Sequence, residues 1–160
     1  MRDRVIINSI LIILILVDCT LAQIIYGGEV AELLPMIAMA ESSGDPTKIN
    51  ERTQAYGLHQ ITAPALTDYN NAHNTSYTLN DLLSGELNTK VALWYLGWID
   101  RQLTKASYPN DSLRIVVAYI WGIGKLKRNG YRVPDWFMTH RNKVYRTFFC
   151  EEIARRKRLP

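Results

Sequence analysis

Residues 30–46 read VAELLPMIAMAESSGDP, and the fold is decided from this stretch outward. Val30, Leu33, Leu34, Ile37 and Ala38 recur at the i, i+3, i+4, i+7 spacing of one helix face, and Glu41 continues the stripe. The spacing predicts a helix over 30–41. It stops at Ser42-Ser43-Gly44-Asp45-Pro46, where small, turn-forming and helix-breaking residues crowd together. Side chains four apart share a face, so Glu41 stacks over Ile37. A carboxyl in apolar surroundings is harder to ionise, because burial penalises the anion. Kept protonated near neutral pH, it can act as a general acid. A glutamate at the rim of an apolar stripe can equally reach into solvent, and the pattern alone leaves both readings open.

Working outward, the helical period persists. Residues 87–103 read as a long helix with Val91, Trp94, Tyr95, Trp98 and Ile99 on one face. Asp111 or Ser112 can cap a helix over 113–120. Pro134 suits the first turn of a last helix running to about Ile153. Residues 57–66 form a short segment, and the polar run 70–76 reads as a loop. Val116, Val117 and Ile120 have strand propensity, but their neighbours favour a helix. Period-2 alternation is not sustained anywhere. The expectation is one compact all-α domain of roughly six or seven helices.

The chain has 160 residues, about one domain, with 48% hydrophobic and 21% charged residues. That balance excludes a disordered chain, a collagen-like repeat and a polytopic membrane protein. Two cysteines exclude a disulfide-rich scaffold, and no Cys/His spacing fits zinc, so neither metal nor cofactor is expected. Residues 1–22 read as an address. Met1-Arg2-Asp3-Arg4 is a basic start, Val5 to Val17 is apolar apart from Asn8 and Ser9, and Ala22 precedes a cleavage point at Gln23. A secretory signal is expected, with an uncleaved N-terminal anchor as the alternative. Either implies export to the periplasm or cell envelope. Cleavage would remove Cys19 and leave Cys150, expected as a buried inert thiol, with an intermolecular bridge as its alternative.

Charge is uneven along the remainder. Residues 23–124 carry six basic and ten acidic side chains, net −4, while residues 125–160 carry eleven and three, net +8. The end is expected to be a solvated helix face with a frayed basic tail over 151–160, including Arg155, Arg156, Lys157 and Arg158. Its functional alternative is attraction to anionic wall polymers or phospholipid head groups, so membrane association is possible through either terminus. No nucleic-acid-binding motif accompanies the basic residues.

Four blocks share an order and spacing with one known family. Ala40-Glu41-Ser42-Ser43-Gly44-Asp45-Pro46 resembles the motif in which a Glu-Ser pair ends a helix before an Asn/Asp-Pro turn. Ala55-Tyr56-Gly57-Leu58-His59-Gln60-Ile61 looks like a Gly-Leu-Met-Gln-Ile block. Asn88 with Ala92, Tyr95 and Leu96 is similar to an Asn-x3-Gly-x2-Tyr-Leu helix. Ala118-Tyr119-Ile120-Trp121-Gly122-Ile123-Gly124 matches an Ala-Tyr-Asn-Ala-Gly-x-Gly block, and a weaker fifth lies near Pro134 and Val144. The chain thus resembles the soluble lytic transglycosylases, relatives of goose-type lysozyme, from Leu34 to about Val144. The resemblance implies a lysozyme-like helical catalytic domain over residues 23–150.

It further implies cleavage of the β-1,4 bond between N-acetylmuramic acid and N-acetylglucosamine in peptidoglycan, leaving a 1,6-anhydro end. Glu41 would be the single catalytic acid/base. Ser42 would orient the carboxyl or an N-acetyl group, or simply cap the helix. Gln60 would hydrogen-bond sugar and Tyr119 would face Glu41 and donate to it, with a purely structural role as the alternative for each, and Gly57 would allow close backbone approach in the groove wall. Tyr145 is the nearest candidate for a late family tyrosine. Three residues depart from the pattern. His59 replaces Met and is read as a groove-wall residue, with an added titration near the ordinary histidine value as its alternative. Ile120 and Trp121 replace Asn and Ala, and Trp121 either stacks on a sugar or fills core. Trp94, Tyr95 and Trp98 are expected in the core. Glu51 lies in a lengthened loop and is expected as a solvated residue, with a second carboxylate near the site as the alternative. The partner implied is the peptidoglycan glycan strand, with a secretion, conjugation or phage machine as a further candidate. The alternatives are a muramidase that uses water, a non-catalytic glycan-binding scaffold, and an anchored component acting through its basic tail.

Overall fold

The computed structural model describes residues 28–139 and 142–158. The expected leader at 1–22 lies outside them. The first helical stretch is two helices, α1 (Gly28–Ala31) and α2 (Leu34–Ser42), rather than one. Pro35 explains the break. Its nitrogen has no hydrogen to give to the carbonyl four residues back, so it is placed in the first turn of a new helix, where no such donor is needed. Helix α2 ends as Ser43 takes a left-handed conformation (φ 61°) and the Gly44 N–H turns back to the Ala38 carbonyl at 3.3 Å.

A small antiparallel sheet follows, in the order β1 (Ile49–Asn50), β2 (Ala55–Tyr56), β3 (Ile61–Thr62). Strands of two residues are too short to show a period, which is why an all-helical expectation passed over them. Helix α3 (Ala63–His73) then covers most of the run expected as a loop. Its polar composition reflects an exposed face, and Asn70 reaches forward to bind the loop through the Tyr77 backbone at 2.8 and 3.2 Å.

The long helix α4 (Gly85–Lys105) is the centre of the molecule. One face meets Ile61, Leu66, Tyr69 and Leu82 beneath the sheet and α3. The other meets α5 (Ser112–Trp121), which is capped by Asp111 as expected and contributes Ile115, Val116 and Val117. Each such fully buried aliphatic side chain contributes about 1.5–3 kcal/mol. Leu34, Tyr95, Trp98 and Tyr119 pack against both clusters and so join them. Trp94 is buried, in keeping with a core residue.

The C-terminal part differs most from expectation. Helix α6 (Ile123–Arg128) follows Gly122, whose φ of 95° gives the sharp turn after α5. No helix begins at Pro134; a 3-10 turn (Asp135–Thr139) follows it, and the last helix, α7 (Lys143–Lys157), starts from an Asn142 cap. Helix α7 runs through the expected boundary at 150. Arg155 and Arg156 are not frayed: both pair with Glu152, and Arg156 reaches Asp111 at 2.6 Å, fastening α7 to the start of α5. Cys150 is exposed on α7 rather than buried. Among the described residues, no helix is long and apolar enough to cross a membrane.

Candidate active site

Helix α2 delivers Glu41 one turn beyond Ile37, which is fully buried. Glu41 itself is half-buried. Burial holds its carboxyl above the ordinary glutamate range, opposed by a hydrogen bond from Tyr145 and by the positive charge of Lys48. Tyr145, on α7, donates its hydroxyl to Glu41 Oε1 at 2.6 Å. Burial and the Glu41 charge push the phenol far up, so it stays a neutral donor. Next to this bond, Asn142 ties α7 to α2 by donating Nδ2 to the Ala40 carbonyl at 2.6 Å while its Oδ1 caps α7. On the other side, Lys48 Nζ donates to the Glu41 backbone carbonyl at 2.9 Å.

The second sequence block is wired to the same point. The Lys48 carbonyl accepts from the Gly57 N–H at 2.8 Å and from Gln60 Nε2 at 3.1 Å. Gln60 Nε2 also donates to the Gly57 carbonyl at 3.0 Å, so its amide nitrogen is committed to backbone. Gln60 has a left-handed backbone (φ 51°), a strained state for a side-chain-bearing residue. Gly57 gives the close backbone approach expected of it, directed inward against Leu82 and Asn88. A Cβ there would lie 2.2 Å from the Leu82 carbonyl and 2.3 Å from Asn88 Nδ2, and its φ is 75°.

Asn88 on α4 is the hub beneath. It is fully buried, donates to the Tyr56 and Leu82 carbonyls at 2.9 Å each, and accepts from the His59 N–H at 2.8 Å. The His59 ring is buried as well, with Nδ1 3.1 Å from Asn88 Oδ1. Burial lowers its pKa below the ordinary value, so it is a neutral structural group and not a groove-wall titration near that value. Tyr119 does not donate to Glu41. Its hydroxyl goes to the His59 carbonyl at 2.7 Å, although burial and the nearby Glu41 charge both raise its pKa. Thus Tyr119 borders the carboxyl, and the donor expected of it is Tyr145.

The remaining candidates divide. Ser42 is buried and acts as a cap: its hydroxyl donates to the Ala38 carbonyl at 3.0 Å and accepts from the Gly44 N–H at 3.2 Å. Trp121 is half-buried in an aromatic group, edge-on to Trp136 at 5.9 Å and to Phe137 at 6.2 Å. Tyr95 stacks with Trp98 at 5.7 Å and leans on Tyr119 at 5.9 Å. Glu51 is exposed and is not among the groups that act on Glu41. Lys48 and Asn142 were not legible as site residues. A cap preference before an amphipathic run could have flagged Asn142, but nothing local marks Lys48.

The family model described as the transglycosylase SLT domain matches residues 25–135, which takes in Glu41, the Gly57–Gln60 block, Asn88 and Tyr119. No curated protein and no solved structure matched the chain. Tyr145 and Asn142 lie beyond the matched span, on the helix that closes over the carboxyl. The chain belongs to the transglycosylase SLT domain family, and its mostly helical fold is lysozyme-like.

Proposed function

We propose that the chain is a peptidoglycan lytic transglycosylase in which Glu41 serves as both general acid and general base. Family membership supports action on peptidoglycan. The observation that carries the finer reading is the isolated Glu41 carboxyl, kept readily protonated by burial and oriented by Tyr145 at 2.6 Å. Among the described residues, no second carboxylate contributes to its ionisation. A protonated Glu41 gives its proton to the glycosidic oxygen between N-acetylmuramic acid and N-acetylglucosamine. The C1–O bond breaks, and the glucosamine side leaves with a new 4-hydroxyl. Glu41, now a carboxylate, takes the proton of the muramoyl 6-hydroxyl as that oxygen bonds to C1 of the same sugar. The product is a 1,6-anhydro ring, Glu41 is again protonated, and no water enters.

The two-carboxylate scheme of most glycosidases needs a nucleophile or an activated water on the opposite face. Here the attacking hydroxyl belongs to the sugar itself, and its high effective concentration replaces that second group. Tyr145 favours the carboxylate during the second half, while burial favours the acid during the first. Gln60 would meet the glycan through its amide oxygen, since its nitrogen is used. Tyr119 would form part of the wall beside Glu41. Export directed by residues 1–22 would bring the enzyme to its substrate. Digestion of purified sacculi tests the proposal: anhydro-ended muropeptides are expected, and reducing ends would instead indicate attack by water.

A further inference from the structure

Lys48 is an exposed residue at the end of the loop between α2 and β1, immediately before Ile49. Its two hydrogen-bonding ends face two parts of the same site. The ammonium donates to the main-chain carbonyl of Glu41 itself at 2.9 Å. The carbonyl accepts from the Gly57 N–H at 2.8 Å and from Gln60 Nε2 at 3.1 Å. We propose that Lys48 is the positioning residue for Glu41, with its ammonium gripping the acid's own backbone and its carbonyl fastening the Gly57–Gln60 segment beside it. The inference rests on the assignment of Glu41 as acid and base, and it adds the group that keeps one carboxyl serviceable in both roles.

The last carbonyls of a helix have no partner within the helix and carry partial negative charge, so a cation is favoured there. Glu41 occupies the last turn of α2, and Lys48 supplies the cation. Its charge also acts through space on the Glu41 side chain and on Asp45. Burial alone would leave the carboxyl willing to give its proton once but slow to exist as the anion that must accept the next one. Lys48 and Tyr145 offset that bias from opposite sides. The titratable groups that face Glu41 are Tyr145 from α7, Tyr119 from α5 and Lys48 from the loop, with Tyr95 of α4 behind Tyr119. The two tyrosines next to it are held neutral, so Lys48 is the one positive charge among these groups.

The test is a direct titration of the Glu41 carboxyl by NMR, on the full chain labelled with carboxyl-¹³C glutamate, its signal identified by its loss in Glu41→Gln. Lys48→Met, Lys48→Arg and the unmodified protein are compared. Lys48 is exposed, so neither change disturbs packing, and equal thermal melts check this. The expected midpoint lies at higher pH in Lys48→Met and returns towards the unmodified value in Lys48→Arg, where the charge is kept. The basic limb of the pH–rate profile on sacculi should move in the same direction. A Glu41 midpoint unchanged by Lys48→Met overturns the proposal. The titration needs no turnover, so a failure of the transglycosylase assignment would show in the release assay and leave the midpoint comparison intact.

Discussion

Tyr145→Phe removes one oxygen and nothing else from the carboxyl's surroundings. The ring stays packed, because Tyr145 is 2% exposed and stacks against Phe149 at 6.3 Å between centroids. What is lost is a 2.6 Å hydrogen bond to a group that is charged for half of the cycle. Such bonds contribute about 1.5–3 kcal/mol. If most of that is expressed in the transition state, kcat falls by about ten- to a hundredfold, since each 1.36 kcal/mol is about one decade. The KM should change little, because the hydroxyl is turned to Glu41. The pH dependence has a definite sign. The bond favours the carboxylate, so its removal raises the Glu41 pKa further. A general acid must be protonated to work, and the limb at which activity is lost with rising pH therefore moves to higher pH. The assay is initial-rate release of soluble muropeptides from sacculi across pH, with circular dichroism to confirm the fold. A variant with unchanged kcat and an unchanged limb would refute the role given to Tyr145.

Two further substitutions probe the frame and the rival chemistry. Gly57→Ala forces a Cβ to 2.2 Å from the Leu82 carbonyl at a φ of 75°, and should cost at least about 3 kcal/mol in urea unfolding; a midpoint equal to the unmodified protein would contradict the close packing on Asn88. Glu51→Gln changes an exposed side chain that does not act on Glu41, and most sacculus-degrading activity should survive. A loss as deep as that of Glu41→Gln would make Glu51 a second carboxylate and favour attack by water.

Long periodic elements were legible because their signals are local. The apolar face of α4 and the Asp111 cap of α5 can be read from a dozen residues each. The Pro35 break was equally readable, but the apolar stripe running through it hid the missing donor. The strands of the small sheet were not readable, since two residues define no alternation. Within the site, motif order placed Glu41, Gln60 and Tyr119 in one neighbourhood. It did not say which tyrosine holds the carboxyl, because that bond spans 104 residues and depends on how α7 docks. Besides the buried Tyr145 and Phe149, docking is fastened by Asn142 at one end and Arg156 at the other, two polar contacts that a hydrophobic pattern does not register. For Ser42 the motif left two roles open, orienting group or cap, and its hydroxyl takes the second by donating to the Ala38 carbonyl.

In the proposed mechanism one carboxyl, Glu41, performs the cleavage. Glu41→Gln keeps the shape and an oxygen able to accept from Tyr145, but cannot give or take the proton. The decisive measurement is mass analysis of muropeptides released from purified sacculi by the unmodified protein and by Glu41→Gln. The first is expected to give 1,6-anhydro ends and the second no release, with its thermal melt preserved. Undiminished release by Glu41→Gln would contradict that mechanism.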